Sequence, residues 1–257
     1  MTFSVAIAGK GGSGKTTTCA LIIRELLKRQ LTPILAVDAD GNANLHESLG
    51  MVLCETIGSV VEKFNDDKIS LPPGMHKGAY LKLRLNEAIV ENGGLDLISM
   101  GCGAGAGCYC YPNSVLKDFI ETLKPNYKFV IMDNEAGLEH LSRGTTDSID
   151  ILLIASDYSV KGIRTAARIR QIVAELKLDV KQSSFILTRV PDVLDKYVAD
   201  ELKTLGISPA ALIPSCPEIE RFDLEQRSLL DLPNTSPAVK AVEVLWQNIL
   251  VEAGIIA

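Results

Sequence analysis

Short apolar runs alternate along the chain with longer amphipathic stretches, and this alternation is the strongest structural signal in the sequence. The β-rich runs occupy 3–8, 33–37, 95–99, 128–132, 151–155, 184–187 and 210–213. A strand that is apolar on both faces belongs inside a parallel sheet, where helices cover each side. Between the runs, apolar positions return at helical spacing over 16–30, 113–123, 163–176, 193–205 and 236–251. In the first of these Leu21, Ile22, Leu26 and Leu27 make one face that packs on the sheet, and in the last Val242, Leu245, Trp246 and Ile249 do the same. The pattern predicts an α/β fold: a doubly wound, mostly parallel sheet with helices on both faces. One stretch, 51–94, is ambiguous, because Leu81, Leu83 and Leu85 alternate as in a strand while Leu85, Ala88 and Ile89 suit a helix. It reads as an insertion of uncertain structure in what is otherwise one domain over 1–257.

Composition narrows the setting. The 257 residues, 47% of them hydrophobic, suffice for a substantial core. The net charge of -6 argues against a nucleic-acid or anionic-membrane partner. No apolar stretch reaches the roughly 18 residues of a membrane span, and Met1 leads into the first strand without a basic leader. The expectation is a cytoplasmic protein that uses neither nucleic acid nor membrane. Six cysteines are too few for a disulfide scaffold at this length. Any pair of them therefore points to metal or redox chemistry.

The first specific motif is Gly9-Lys-Gly-Gly-Ser-Gly-Lys-Thr16, which matches G-x-x-x-x-G-K-[ST] and lies between a predicted strand and a predicted helix. Glycines let backbone N–H groups converge on phosphate oxygens, and the helix N-terminus adds its positive end. Lys15 neutralises the β- and γ-phosphates of a nucleoside triphosphate in this reading, and the Thr16 hydroxyl holds Mg²⁺. Gly9, Gly11 and Gly14 also fit a dinucleotide fingerprint, but that motif leaves Lys15 and Thr16 unexplained. Lys10 is an extra cation that the phosphates do not require; read alone, it is a solvated loop lysine.

With that extra lysine the loop resembles the deviant Walker A motif, K-G-G-x-G-K-T. The motif defines a superfamily of dimeric ATPases that includes the nitrogenase iron protein, the septum-site and plasmid-partition ATPases, and metal-insertion ATPases. The resemblance implies ATP or ADP as ligand, with Gly11, Gly12, Ser13, Gly14, Lys15, Thr16 and Thr17 around the phosphates. It also implies that Lys10 reaches the partner subunit's nucleotide, a cation supplied in trans as an arginine finger is. Asp38-Ala-Asp40 and Asp133-Asn-Glu-Ala-Gly137 both follow strands, at the edge where doubly wound sheets bind ligands. By the same resemblance Asp40 positions the attacking water, Asp38 and Asp133 belong to the magnesium shell, and Gly137 senses the γ-phosphate. Where the superfamily usually has an adenine-reading asparagine, this chain has Thr188, followed by Arg189. The base contact is then expected over Pro214, Ser215, Cys216, Pro217 and Glu218, together with Arg189.

Gly107-Cys108-Tyr109-Cys110 is the second specific signal. A C-x-C pair suits an internal disulfide poorly. Two thiolates are half of a tetrahedral site or two ligands of a flatter nickel site, and a two-fold axis would join two pairs into Cys₄. Two loop cysteines without a ligand are the alternative. The C-x-C pair, Asn113-Ser114 close behind it, and the run Ala136-Gly-Leu-Glu-His-Leu-Ser-Arg-Gly144 resemble the nickel-insertion ATPases of carbon monoxide dehydrogenase and acetyl-CoA synthase maturation. The resemblance spans nearly the whole chain and is weakest over 51–94. It implies Ni²⁺, or Zn²⁺ in its place, at Cys108 and Cys110 of a homodimer, and one of those nickel enzymes as client. Two other functions share the superfamily: iron–sulfur electron transfer, which wants a second widely separated cysteine, and positioning on DNA or membrane, which needs neither.

Overall fold

The computed structural model describes residues 2–65, 71–101, 110–135 and 148–255, with the backbone alone at 65 and 110–113. Its strands are β1 (Phe3–Gly9), β2 (Ile34–Asp38), β3 (Val90–Asn92), β4 (Leu95–Ser99), β5 (Phe129–Asp133), β6 (Ile149–Asp157), β7 (Val180–Val190) and β8 (Ala211–Pro214). They form one sheet in the order β3-β4-β2-β5-β1-β6-β7-β8. Every neighbouring pair is parallel except β3–β4. The helices are α1 (Lys15–Lys28), α2 (Leu45–Leu49), α3 (Ile57–Asn65), α4 (Lys77–Glu87), α5 (Cys110–Leu123), α6 (Val160–Glu175), α7 (Lys196–Thr204), α8 (Pro217–Leu224) and α9 (Pro237–Glu252).

Alternation along the strands divides the core into two layers. Val5, Ile7, Ala36, Ile131 and Leu153 face α1, α2, α8 and α9. Ala6, Ala8, Val37, Met132 and Leu152 face α3 to α7. All ten of these strand side chains are fully buried, as a strand sandwiched between helix layers requires. Trp246, also fully buried, meets Phe3 and Phe129 edge to face at centroid distances of 6.5 and 6.2 Å.

The ambiguous stretch resolves into α3, α4 and β3 around the undescribed residues 66–70. Leu85 and Ala88 are buried while Leu83 is 43% exposed, so the helical spacing prevails over the alternating one. The antiparallel β3–β4 hairpin turns on Gly93 and Gly94, whose φ values of 56° and 96° lie in the left-handed region. The helix expected over 193–205 starts later, at Lys196, because the Asp195 carboxylate caps it by accepting from the Tyr197 N–H at 2.8 Å.

The parallel register brings the chemistry to one edge. Asp38 is level with Ser99 on one side and Asp133 on the other, Ile7 is level with Asp133, and Gly9 with Ala155. The P-loop and both acidic motifs therefore leave the sheet side by side.

Candidate nucleotide site

The loop from Gly9 to α1 has little freedom. A Cβ on Gly9 would stand 2.4 Å from the Ala155 carbonyl oxygen, which only glycine avoids. Gly14 has φ 79° and opens α1 with no side-chain cap, so the first-turn N–H groups remain available to a ligand. Lys15 is 7% exposed, with its Nζ 3.4 Å from the Lys10 carbonyl oxygen. Lys10, Gly11 and Gly12 are exposed, and Ser13 is buried. The loop is latched from β7. The Thr188 hydroxyl lies 2.9 Å from the Ser13 carbonyl oxygen and 3.2 Å from that of Ser156. Arg189, held at φ 54° beside the β7–β8 bulge, donates to the Gly12 carbonyl.

Beside the loop lie two buried carboxylates. Asp38 accepts from the N–H of Asp40 at 3.1 Å and of Leu45 at 2.9 Å. Asp133 accepts from the Thr16 hydroxyl at 2.5 Å, and its other oxygen, Oδ1, is buried with no hydrogen-bond partner among the described residues. Burial raises both, Asp38 to about 6 and Asp133 to about 7, the latter helped by the nearby Asp38 charge. Cys19 packs in the core beneath them, its thiol pushed well up by burial and by both carboxylates. Asp40 sits further out, its Oδ1 accepting from the Asn42 backbone and side-chain N–H groups at 2.9 Å each. A buried pair of acids beside a P-loop threonine, with one orphaned oxygen, is a donor set suited to Mg²⁺.

These groups border a cavity of about 530 Å³. Gly11, Gly12, Gly14, Lys15, Thr16, Thr17 and Asp40 line its phosphate end, and Arg189, Ser215 and Cys216 its far end. The volume falls within the roughly 300–1,000 Å³ of small-molecule sites.

The comparisons with known proteins fit this geometry. The AAA_31 family model, described as an AAA domain, matches residues 2–183. The chain belongs to this family of P-loop ATPases. An uncharacterized ATP-binding protein of Methanocaldococcus jannaschii is 36% identical, covering 96% of this chain and 98% of that protein. The carbon monoxide dehydrogenase accessory protein CooC of Rhodospirillum rubrum is 27% identical, over 80% and 82% of the two chains. The septum site-determining protein MinD of Pyrococcus horikoshii, complexed with Mg-ADP, superposes with a TM-score of 0.72 at 21% identity, over 100% of this chain and 99% of that one. That likeness identifies the doubly wound fold as the MinD type.

For this P-loop ATPase, the expected site residues divide into three groups. The loop, Asp38, Asp40, Asp133 and Arg189 converge on the carboxyl edge. Pro214, Pro217 and Glu218 flank the far end, where Ile213, Ile219 and Glu220 join the lining instead. Gly137 and Cys108 lie outside the described residues; Cys110 opens α5, with its side chain outside them. Among the described residues no three His, Cys, Asp or Glu side chains are gathered as for a metal ion. None of the described helices is long and apolar enough to cross a membrane.

Sequence reasoning did not place Asn42, Asn44, Glu135 or Glu220 in the site, though all four line the cavity. Glu135 had a signal, since it lies inside the second acidic motif. Thr188 was noticed only as a departure from asparagine; its hydroxyl serves the loop backbone.

Proposed function

We propose that this P-loop ATPase is a homodimeric, cytoplasmic metallochaperone. In this reading ATP binding closes two subunits over Lys10, and nickel is held between the subunits by Cys108 and Cys110 for delivery to carbon monoxide dehydrogenase or acetyl-CoA synthase. The observation that carries the reading is the direct link between the first acidic motif and the strand leading to the cysteines. The Met100 N–H donates to the Asp38 carbonyl at 2.7 Å, and the Gly58 N–H donates to the Met100 carbonyl at 2.8 Å. Only the 101–109 connection then separates this stem from α5, which Cys110 begins. A change at Asp38 on nucleotide binding would reach Met100 through this hydrogen bond, and so the start of the connection that carries the cysteines. The relation to CooC, whose name ties it to carbon monoxide dehydrogenase, supports the choice of client.

Each residue has a separate task in hydrolysis. First-turn N–H groups and Lys15 bind the β- and γ-phosphates, and Thr16, Asp38 and Asp133 are the residues that would hold Mg²⁺, which would supply charge neutralisation at the phosphate oxygens. Asp40 orients the water that attacks the γ-phosphorus as the bond to the β–γ bridging oxygen breaks, giving ADP and phosphate. Lys10 of the partner subunit meets the charge that develops there. Thr188 and Arg189 occupy the Ser13 and Gly12 carbonyls, the Ser13 N–H donates to the Lys10 carbonyl at 3.1 Å, and the first-turn N–H groups of α1 are left for phosphate.

An anaerobic Ni²⁺ titration tests the reading, run beside Cys108→Ser/Cys110→Ser with oligomeric state recorded at each point. One Ni²⁺ per two chains, with dimer formation that the double variant abolishes, is the expected result. Nickel binding that survives in the variant, or none in the wild type with or without ATP, overturns the metallochaperone reading and leaves a dimeric ATPase switch.

A further inference from the structure

The edge of the sheet opposite the nucleotide holds a second cavity, of about 580 Å³. It opens at the strand beginnings: Phe3 of β1, Phe129 of β5, Ile151 of β6 and Gln182 of β7 line it, with Leu31 and with Ile255 after α9. Its size is that of a small-molecule site. The floor is apolar and rigid, since Phe129 and Ile151 are each 2% exposed and Phe3, Phe129 and Trp246 lock edge to face.

The charges at the rim decide what such a floor would take. Asp150 is fully engaged, accepting from the Ser4 N–H at 2.7 Å, the Ser4 hydroxyl at 2.9 Å and the Lys181 ammonium at 2.7 Å. Gln182 donates to Glu252 at 3.0 Å. The backbone N–H groups of Phe3 and Lys128 are used in loop hydrogen bonds, and α9 closes its own last carbonyls with the N–H groups of Ala253, Gly254 and Ile255. What remains is the exposed Lys128 ammonium, which has no side-chain partner among the described residues. One unpaired cation over an aromatic and aliphatic floor complements a monoanion with an apolar tail. Among the described residues the rim offers no free carboxylate for a cation and no converging N–H groups for a polyphosphate.

We propose that this cavity binds a small amphipathic carboxylate, its tail on Phe3, Phe129 and Ile151 and its carboxylate at Lys128. The site is separate from the nucleotide site, because β1 runs its full length between them, from Phe3 to Gly9.

The probe is octanoate, titrated into the full chain with Mg-ADP held at saturation so that the P-loop takes no part. Trp246, the only tryptophan, reports on the floor, and calorimetry gives the stoichiometry. The expected result is one octanoate per chain, with a dissociation constant of about 0.1–1 mM for a ligand of this size. Lys128→Glu, at an exposed position that should not disturb folding, weakens octanoate about tenfold and leaves ADP affinity unchanged. Octanol, which keeps the tail and loses the charge, binds as weakly to the wild type as octanoate does to the variant. Three results overturn the proposal: no saturable binding, octanoate affinity equal in wild type and Lys128→Glu, or binding seen only when the chain is ended after Ile255. The last would assign the cavity to the chain's own final residues.

Discussion

Replacing Thr188 with valine isolates what the latch on the P-loop is worth. The side chain is 4% exposed, and valine puts a methyl where the hydroxyl was with nearly the same shape, so the packing around it is kept. The change removes only the hydroxyl shared between the Ser13 and Ser156 carbonyls. Leaving a buried carbonyl without its donor costs about 1–3 kcal/mol. If that energy preorganises the loop for phosphate, nucleotide affinity falls by a factor of roughly 5–150. Calorimetric titration with Mg-ADP reads this directly. Thr188→Ser, which keeps the hydroxyl, should bind ADP within a few-fold of wild type. Ser4→Ala is the control, because Ser4 is equally buried and hydrogen-bonded but sits at the opposite edge. It should lower the unfolding free energy by a similar amount and leave ADP affinity alone. Thr188→Val with wild-type ADP affinity, or Ser4→Ala with the same weakening of ADP, would refute the latch.

Two further outcomes follow from the same site. If the exposed Lys10 side chain serves the partner's site as proposed, Lys10→Ala should bind ADP normally yet lose hydrolysis by about 10³-fold or more; mixing it with Asp40→Asn should restore turnover, and mixtures as inactive as either variant would place Lys10 in cis. Asp38 and Asp133 carry pKa values raised from 3.8 to about 6 and about 7, so the folded chain holds protons that the unfolded chain has released. Their contribution to stability is present below about pH 4 and lost as pH rises through about 7, on the order of 3 kcal/mol for Asp38 alone. Denaturant melts without nucleotide should show this decline and Mg-ADP should flatten it; a nucleotide-free stability that rises over that range would contradict the assignment.

The sheet was legible because burial on both faces leaves strands with no polar positions, as in Val5–Ala8 and Phe129–Met132, and such runs have few competing readings. The P-loop was legible because glycine spacing and a strand–loop–helix context reinforce one another. The 51–94 region was not, since alternating leucines at 81, 83 and 85 satisfy both periods and only tertiary packing of Leu85 and Ala88 decides between them. The far end of the cavity was half legible. Ser215 and Cys216 line it through the turn after β8, whereas Ile219 and Glu220 arrive by the first turn of α8, whose orientation no local pattern encodes. Thr188 was half legible for a physical reason: the missing amide is visible in the sequence, whereas its hydroxyl's contact with the Ser13 carbonyl depends on where β7 lies beside the loop.

The central claim is that nucleotide state and nickel binding are coupled through the stem between Asp38 and the cysteine loop. Coupling of two ligands is reciprocal, so it can be read from one side alone. The most direct measurement is the Ni²⁺ dissociation constant of the wild-type protein, taken anaerobically with Mg-ADP and again with a non-hydrolysable ATP analogue. A difference of about fivefold or more between the two states, absent in Cys108→Ser/Cys110→Ser, is the predicted result. Equal nickel affinity in both nucleotide states would contradict the account, however tightly the metal binds.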